Sequence, residues 1–134
     1  MSWSGVKKHI NNAEIEAWCE DMDIENYIIN SQGDIDVNGN VDLDEDEVEF
    51  EKLPYKFGTV TGYFDMGYNK KLTSLENCPN KVGAWFSCSK CKNLESLEGC
   101  PKEVRGYFYC EGCKRKFTKE EVRSLCKVNG TIIK

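Results

Sequence analysis

Eight cysteines are spread through 134 residues, and four of them fall in two Cys-x-x-Cys pairs, Cys88-Ser89-Lys90-Cys91 and Cys110-Glu111-Gly112-Cys113. Eighteen residues separate the pairs. Thiolates at this spacing can close a tetrahedral zinc site. Carboxylates are the second candidate chemistry: Asp34, Asp36, Asp42, Asp44, Glu45, Asp46, Glu47, Glu49 and Glu51 crowd one short stretch. They lack the glycine and the closing-glutamate spacing of a calcium loop. His9 is the only histidine, so the commonest general base is scarce, and no phosphate-binding glycine loop occurs. These residues predict a chain that binds rather than catalyses and that carries no cofactor.

The charges are segregated. Residues 1–51 hold fifteen Asp and Glu against two Lys, a net of −13. Residues 52–134 hold eight acids against sixteen Lys and Arg, a net of +8, which brings the whole to −5. Two opposite fields either attract each other or steer different partners. Lys114, Arg115, Lys116, Lys119 and Arg123 form a basic group in the neighbourhood of Tyr109, an arrangement able to hold a nucleic-acid backbone beside a stacking ring. The net negative charge opposes that reading. Its mirror image is an acidic row that imitates phosphates and occupies another protein's nucleic-acid groove.

Certain elements must position these groups. Ile15, Trp18, Cys19 and Met22 recur at helical spacing after Asn11 or Asn12, which predicts a short helix with one apolar stripe. Ile35, Val37, Val41 and Leu43 alternate with Asp34, Asp36, Asn40 and Asp42 around Asn38-Gly39, which predicts a strand pair joined by a tight turn. From Val60 the chain repeats with an offset of 22 residues: Val60, Val82 and Val104 each precede Tyr63-Phe64, Trp85-Phe86 and Tyr107-Phe108. Leu72, Leu75 and Cys78-Pro79 recur as Leu94, Leu97 and Cys100-Pro101. Leu53-Pro54 reads as the end of a degenerate earlier copy with a three-residue insertion. Such a period is the signature of a leucine-rich-repeat solenoid with parallel strands. Thr118 and Glu121 make a capping box for a final helix, and Thr131–Ile133 reads as an edge strand.

The repeat accounts for the cysteines without a metal. Cys88 and Cys110 fall where Met66 stands in the first copy, among the inward positions with Phe64, Phe86 and Phe108. Cys91 and Cys113 fall where Asn69 stands, a turn position whose side chain is expected to meet backbone amides. Buried reduced thiols are the preferred reading, with structural zinc at Cys88, Cys91, Cys110 and Cys113 and a disulfide as the alternatives. The outward strand positions form two columns, Tyr63, Trp85 and Tyr107 beside Asp65, Ser87 and Tyr109. Folding does not demand a row of outward rings, whereas exposed aromatics commonly anchor protein partners.

Two motifs carry a family likeness. Gly106-Tyr107-Phe108-Tyr109-Cys110 with Leu94-Glu95-Ser96-Leu97-Glu98-Gly99-Cys100-Pro101 resembles the short leucine-rich-repeat-like proteins of bacteriophages. The stretch from Trp18 and Met22 through Ile24, Asn26, Tyr27, Ile29 and Asn30, then Gly33, Ile35, Val37, Gly39, Val41 and Leu43, is similar to the leader that precedes such repeats. Together they span most of residues 15–110. The resemblance implies a virus-encoded protein of the host cytoplasm, of a kind that includes inhibitors of host defence or of host enzymes.

The expected fold is α+β: a small leucine-rich-repeat-like parallel β-solenoid of about three coils with flanking elements. Residues 12–53 supply the N-terminal helix and acidic hairpin region, 54–117 the repeats and 118–134 a C-terminal cap with its helix, all in a single domain over residues 1–134. Mean hydropathy is −0.59, with no apolar run long enough for a bilayer and no signal-like start, so a cytoplasmic protein without membrane contact is expected. The expected function is non-catalytic binding of a host cytoplasmic protein through Tyr63, Trp85, Tyr107, Asp65, Ser87 and Tyr109, with Asp44, Glu45, Asp46, Glu47, Glu49 and Glu51 steering the encounter. Nucleic-acid binding by the basic group and a structural role in a virion are the other readings.

Overall fold

The structure, a computed structural model, describes residues 12–44 and 50–134. Helix α1 (Asn12–Asp21) buries Ile15 and Cys19. Trp18, on the same stripe, meets Tyr55 and Phe57 edge-on at 5.7 and 5.9 Å between ring centroids. Ten residues are too few for a helix stable in isolation, so this docking holds it.

The rest winds into a two-sheet solenoid. One sheet contains β1 (Tyr27–Ile29), β2 (Ile35–Val37), β4 (Phe57–Val60), β6 (Lys81–Val82), β8 (Glu103–Val104) and β10 (Lys127–Val128), in that order. The other stacks β3 (Val41–Asp42), β5 (Phe64–Asp65), β7 (Phe86–Ser87), β9 (Phe108–Tyr109) and β11 (Ile132–Ile133). All neighbours are parallel except β1 and β2. Each coil therefore contributes one short strand to each sheet, and the expected parallel pairing of Phe64, Phe86 and Phe108 is in register. These three rings are fully buried and lie over one another, 6.2 and 5.1 Å apart.

Three expectations about local structure are corrected. Asn38-Gly39 does not close a hairpin. It is the corner at which the chain leaves the first sheet for the second, so Ile35–Val37 and Val41–Asp42 lie in different sheets. The hairpin is β1–β2, turned by Ser31-Gln32-Gly33, with Gly33 at φ +85° and Asn30 Oδ1 accepting from the backbone of Gln32 and Asp34. The same corner recurs down the stack: Gly62 N–H donates to Gly39 O, Ala84 to Gly62, Gly106 to Ala84 and Gly130 to Gly106. Backbones approach so closely here that a Cβ on Gly106 would sit 2.6 Å from the oxygen of Ala84.

Nor is there a three-residue insertion at Leu53-Pro54. Leu53 is buried and stands 22 residues before Leu75, and Thr59 pairs with Lys81 at the same offset. A single extra residue enters one coil earlier, where the β2–β4 register shifts between Ile35–Phe57 and Val37–Val60. Asp36 mends that ladder by accepting from Thr59 N at 2.8 Å, and Asn30 Nδ2 donates to its other oxygen. Asp36 is thus a structural acid, half-buried and committed to the ladder.

The third correction concerns the side chains at the turn. Asn69, Cys91 and Cys113 reach carbonyl oxygens rather than amides. Asn69 Nδ2 donates to Met66 O and Leu43 O, Cys91 Sγ to Met66 O at 3.3 Å and Cys113 Sγ to Cys88 O at 3.2 Å. Apart from the Asn69–Met66 bond, which lies within one coil, each link ties one coil to the coil before it.

Helix α2 (Lys119–Leu125) starts at the expected box: Thr118 Oγ1 accepts from Glu121 N, and Glu121 Oε1 accepts from Thr118 N. Val122 is its buried anchor. The helix replaces the return segment of the last coil, and β10 and β11 follow it as the last rungs of their sheets. The stack outruns the three motif copies because Val41 and Ile132 fill the Phe64 position without sharing its motif.

Candidate functional site

Strand alternation on the second sheet sends Phe64, Phe86 and Phe108 inward and leaves their neighbours on the outer face. Parallel register then builds columns across the coils. Asp42, Asp65, Ser87 and Tyr109 form one. Tyr63, Trp85 and Tyr107 precede β5, β7 and β9 and form the next.

The rings do not make one uniform stack. Tyr63 and Trp85 lie face to face, 4.3 Å between centroids and 10° between planes. Trp85 then meets Tyr109 edge-on at 5.8 Å, and Tyr109 meets Tyr107 at 5.9 Å. Tyr107 is the most open of the four, 46 % exposed, while the others are half-buried. Ser87 is covered, at 7 % exposure, and its hydroxyl accepts from Ser89 N, so it offers little to a partner.

Next to Tyr63 the structure gathers Asp42, Asp44 and Asp65. One carboxylate oxygen from each lies within 4.8 Å of the others, the only such group of three potential ligand atoms among the described residues. Asp44 N–H donates to Asp42 Oδ1 at 3.2 Å, and Gly67 N–H to Asp65 Oδ1 at 2.9 Å. Three like charges at this range cannot all ionise freely. Hydrogen bonding to Asp42, partial burial and the charge of Asp65 push Asp44 up to about 7. Burial is also the main cause that raises Asp65. The Tyr63 hydroxyl is raised by desolvation and by these carboxylates. A single cation can face all three oxygens.

Sequence reasoning had Asp44 as a steering acid and Asp65 as a contact residue, and assigned Asp42 to a hairpin. What it missed is their convergence. The signal was the offset of 23 residues from Asp42 to Asp65, hidden by the shift in register at Phe57–Val60. Tyr68 was missed as well. It follows Gly67 at the rim of this face, 55 % exposed, with a left-handed φ of +64°. Glu45, Asp46, Glu47 and Glu49 lie outside the described residues, as does His9. Glu51 is exposed on the return arm, its carbonyl accepting from Thr73 and Ser74.

The basic group is partly committed elsewhere. Lys114 pairs with Glu95 at 3.2 Å. Arg115 forms a fork with both oxygens of Glu121, donates to Glu95 O and covers the Phe117 ring at 4.6 Å. Lys116, Lys119 and Arg123 are exposed.

All eight cysteines are free thiols. Burial pushes Cys91 and Cys110 up to about 12, and Cys88 rises because it donates to Cys113 and is buried. Cys113, accepting that bond, is lowered. The thiols of Cys88, Cys91 and Cys113 are engaged with backbone oxygens or with one another rather than converging on one point.

Fold and face together define a short two-sheet parallel β-solenoid with an aromatic and acidic outer strip. No protein family, curated protein or solved structure matches the chain. No helix among the described residues is long and apolar enough to cross a membrane.

Proposed function

We propose that the protein is a non-catalytic binding module that grips a partner protein with the outer face of its second sheet, Trp85 at the centre. The observation that carries this reading is the Tyr63–Trp85 stack on an outward strand face, where rings add nothing to the fully buried core. A stacked pair on a stiff ladder has little freedom left to lose on binding. Aromatic anchors of this kind supply much of the energy at protein interfaces.

The likeness to phage repeat proteins extends the proposal to a host cytoplasmic factor, and to inhibition of it. Capture from a bacterial lysate with and without nuclease, followed by affinity measurement on the purified partner, tests the module. A discrete, nuclease-resistant partner lost in Trp85→Ala supports it. A partner retained by that variant, or captured material that disappears with nuclease, overturns it.

A further inference from the structure

We propose that this face takes an arginine-bearing segment of its partner, with the guanidinium set among Asp42, Asp44 and Asp65 and the adjoining chain laid over Tyr63 and Trp85. The assignment rests on the binding reading above and names the chemistry of what is bound.

Charge complementarity is the first argument. The outward strand positions hold Asp42 and Asp65, then Ser87 and Tyr109, and no lysine or arginine. Asp44 adds a third carboxylate, with all three oxygens inside 4.8 Å. Hydrogen bonding to Asp42, partial burial and the charges of Asp65 and Asp42 push Asp44 up to about 7. An incoming cation relieves the repulsion that the fold leaves standing.

Shape selects the cation. A guanidinium is planar, can bind two carboxylate oxygens at once and packs its flat face against aromatic rings. A lysine ammonium is a compact point charge and uses only the first of these surroundings. Tyr63 joins the two groups, because it stacks on Trp85 and stands two residues before Asp65, on the same face of the strand. The parallel register holds the ring pair and the acid cluster at fixed spacing on one strip.

The test uses the full chain and two synthetic peptides, one alternating glycine with arginine and one alternating glycine with lysine. Calorimetry gives affinities, and side-chain NMR gives the site. The arginine peptide should bind about tenfold tighter than the lysine peptide, a difference of about 1.4 kcal/mol. Its shifts should centre on Tyr63, Trp85 and Asp65. The double variant Asp42→Asn with Asp65→Asn keeps the acceptor oxygens used by Asp44 N and Gly67 N, so the fold should persist by circular dichroism. That variant should lose about tenfold in affinity for the arginine peptide. Equal affinity for both peptides, shifts centred elsewhere, or unchanged binding in the double variant overturns the assignment. So does a self-contact, seen as a dimer of the free chain that Trp85→Ala abolishes. With a captured partner, loss in Trp85→Ala but not in the aspartate variant removes this inference and leaves the binding module. Retention in both removes both.

Discussion

Tyr63 and Trp85, 22 residues apart in the chain, stack with their planes 10° from parallel. The register between β5 and β7 enforces this contact, since Phe64 pairs directly with Phe86. A double-mutant cycle on Tyr63→Ala and Trp85→Ala should give a coupling of about 0.5–1.5 kcal/mol in urea unfolding, the usual worth of an aromatic pair beyond its buried area. Additive single effects would mean that the stack contributes nothing of its own. On partner binding, Trp85→Ala should weaken affinity about tenfold, mainly through faster dissociation. Kinetics at two salt concentrations read this directly.

Asp44 makes stability depend on pH in an unusual direction. Its carboxyl titrates at 3.8 in a free chain and at about 7 in the fold. Between those values the folded state holds a proton that the unfolded state has released, so the unfolded state binds fewer protons and stability falls as pH rises. The loss begins near the lower value and is complete above the upper one. Asp44→Asn keeps a donor facing Asp42 and removes the charge. The variant should melt higher than the parent at pH 8 and much like it below pH 4. Parallel melting curves across that range would sink the account.

The cysteines should behave as buried thiols with one exception. Cys91, Cys100, Cys110 and Cys126 are each pushed by burial to about 12, leaving almost no thiolate near neutral pH. Cys113 is partly exposed and is lowered by the hydrogen bond from Cys88. In native protein one thiol should react with a disulfide reagent well before the rest, and Cys113→Ser should remove that fast phase. Elemental analysis of tag-free protein should find no stoichiometric zinc. One zinc per chain, lost together with the fold in Cys91→Ser plus Cys113→Ser, would replace the ladder account.

Legibility followed periodicity. Phe64, Phe86 and Phe108 were readable as an inward row because three copies share one spacing. The outer rungs were not, since Val41 and Ile132 occupy the same row with different side chains and with offsets of 23 and 24 residues. Asn38-Gly39 looked like a hairpin because positive φ suits both a tight turn and the corner between sheets, and local sequence does not separate the two. Gly39 shares its hydrogen-bonded column with Gly62, Ala84, Gly106 and Gly130, a relation visible only once the single-residue shift is placed. The aromatic row was legible for the same reason as the core. The carboxylate cluster needed the shifted register as well as strand alternation.

Tyr68 provides the test that separates structure from function most cleanly. The corners after β5, β7 and β9 each have a left-handed residue: Tyr68 at φ +64°, Lys90 at +62° and Gly112 at +76°. Only glycine adopts this region without steric cost, and a bulky side chain there costs about 1–2 kcal/mol. Glycine returns roughly half of that through its greater freedom in the unfolded chain. Tyr68 is 55 % exposed, so its ring gives back little in packing, and its backbone bond to Ser89 O survives the change. Tyr68→Gly should therefore stabilise the protein by about 0.5 kcal/mol, with a melting point higher by about 1–2 °C for a chain of this size. If Tyr68 also extends the binding strip beyond Asp65, the same variant should bind a partner more weakly while being more stable. Opposite signs in the two measurements would mark a residue held in a strained position for contact. A destabilised Tyr68→Gly would show instead that the ring packs usefully where it stands, and the strain argument would fall.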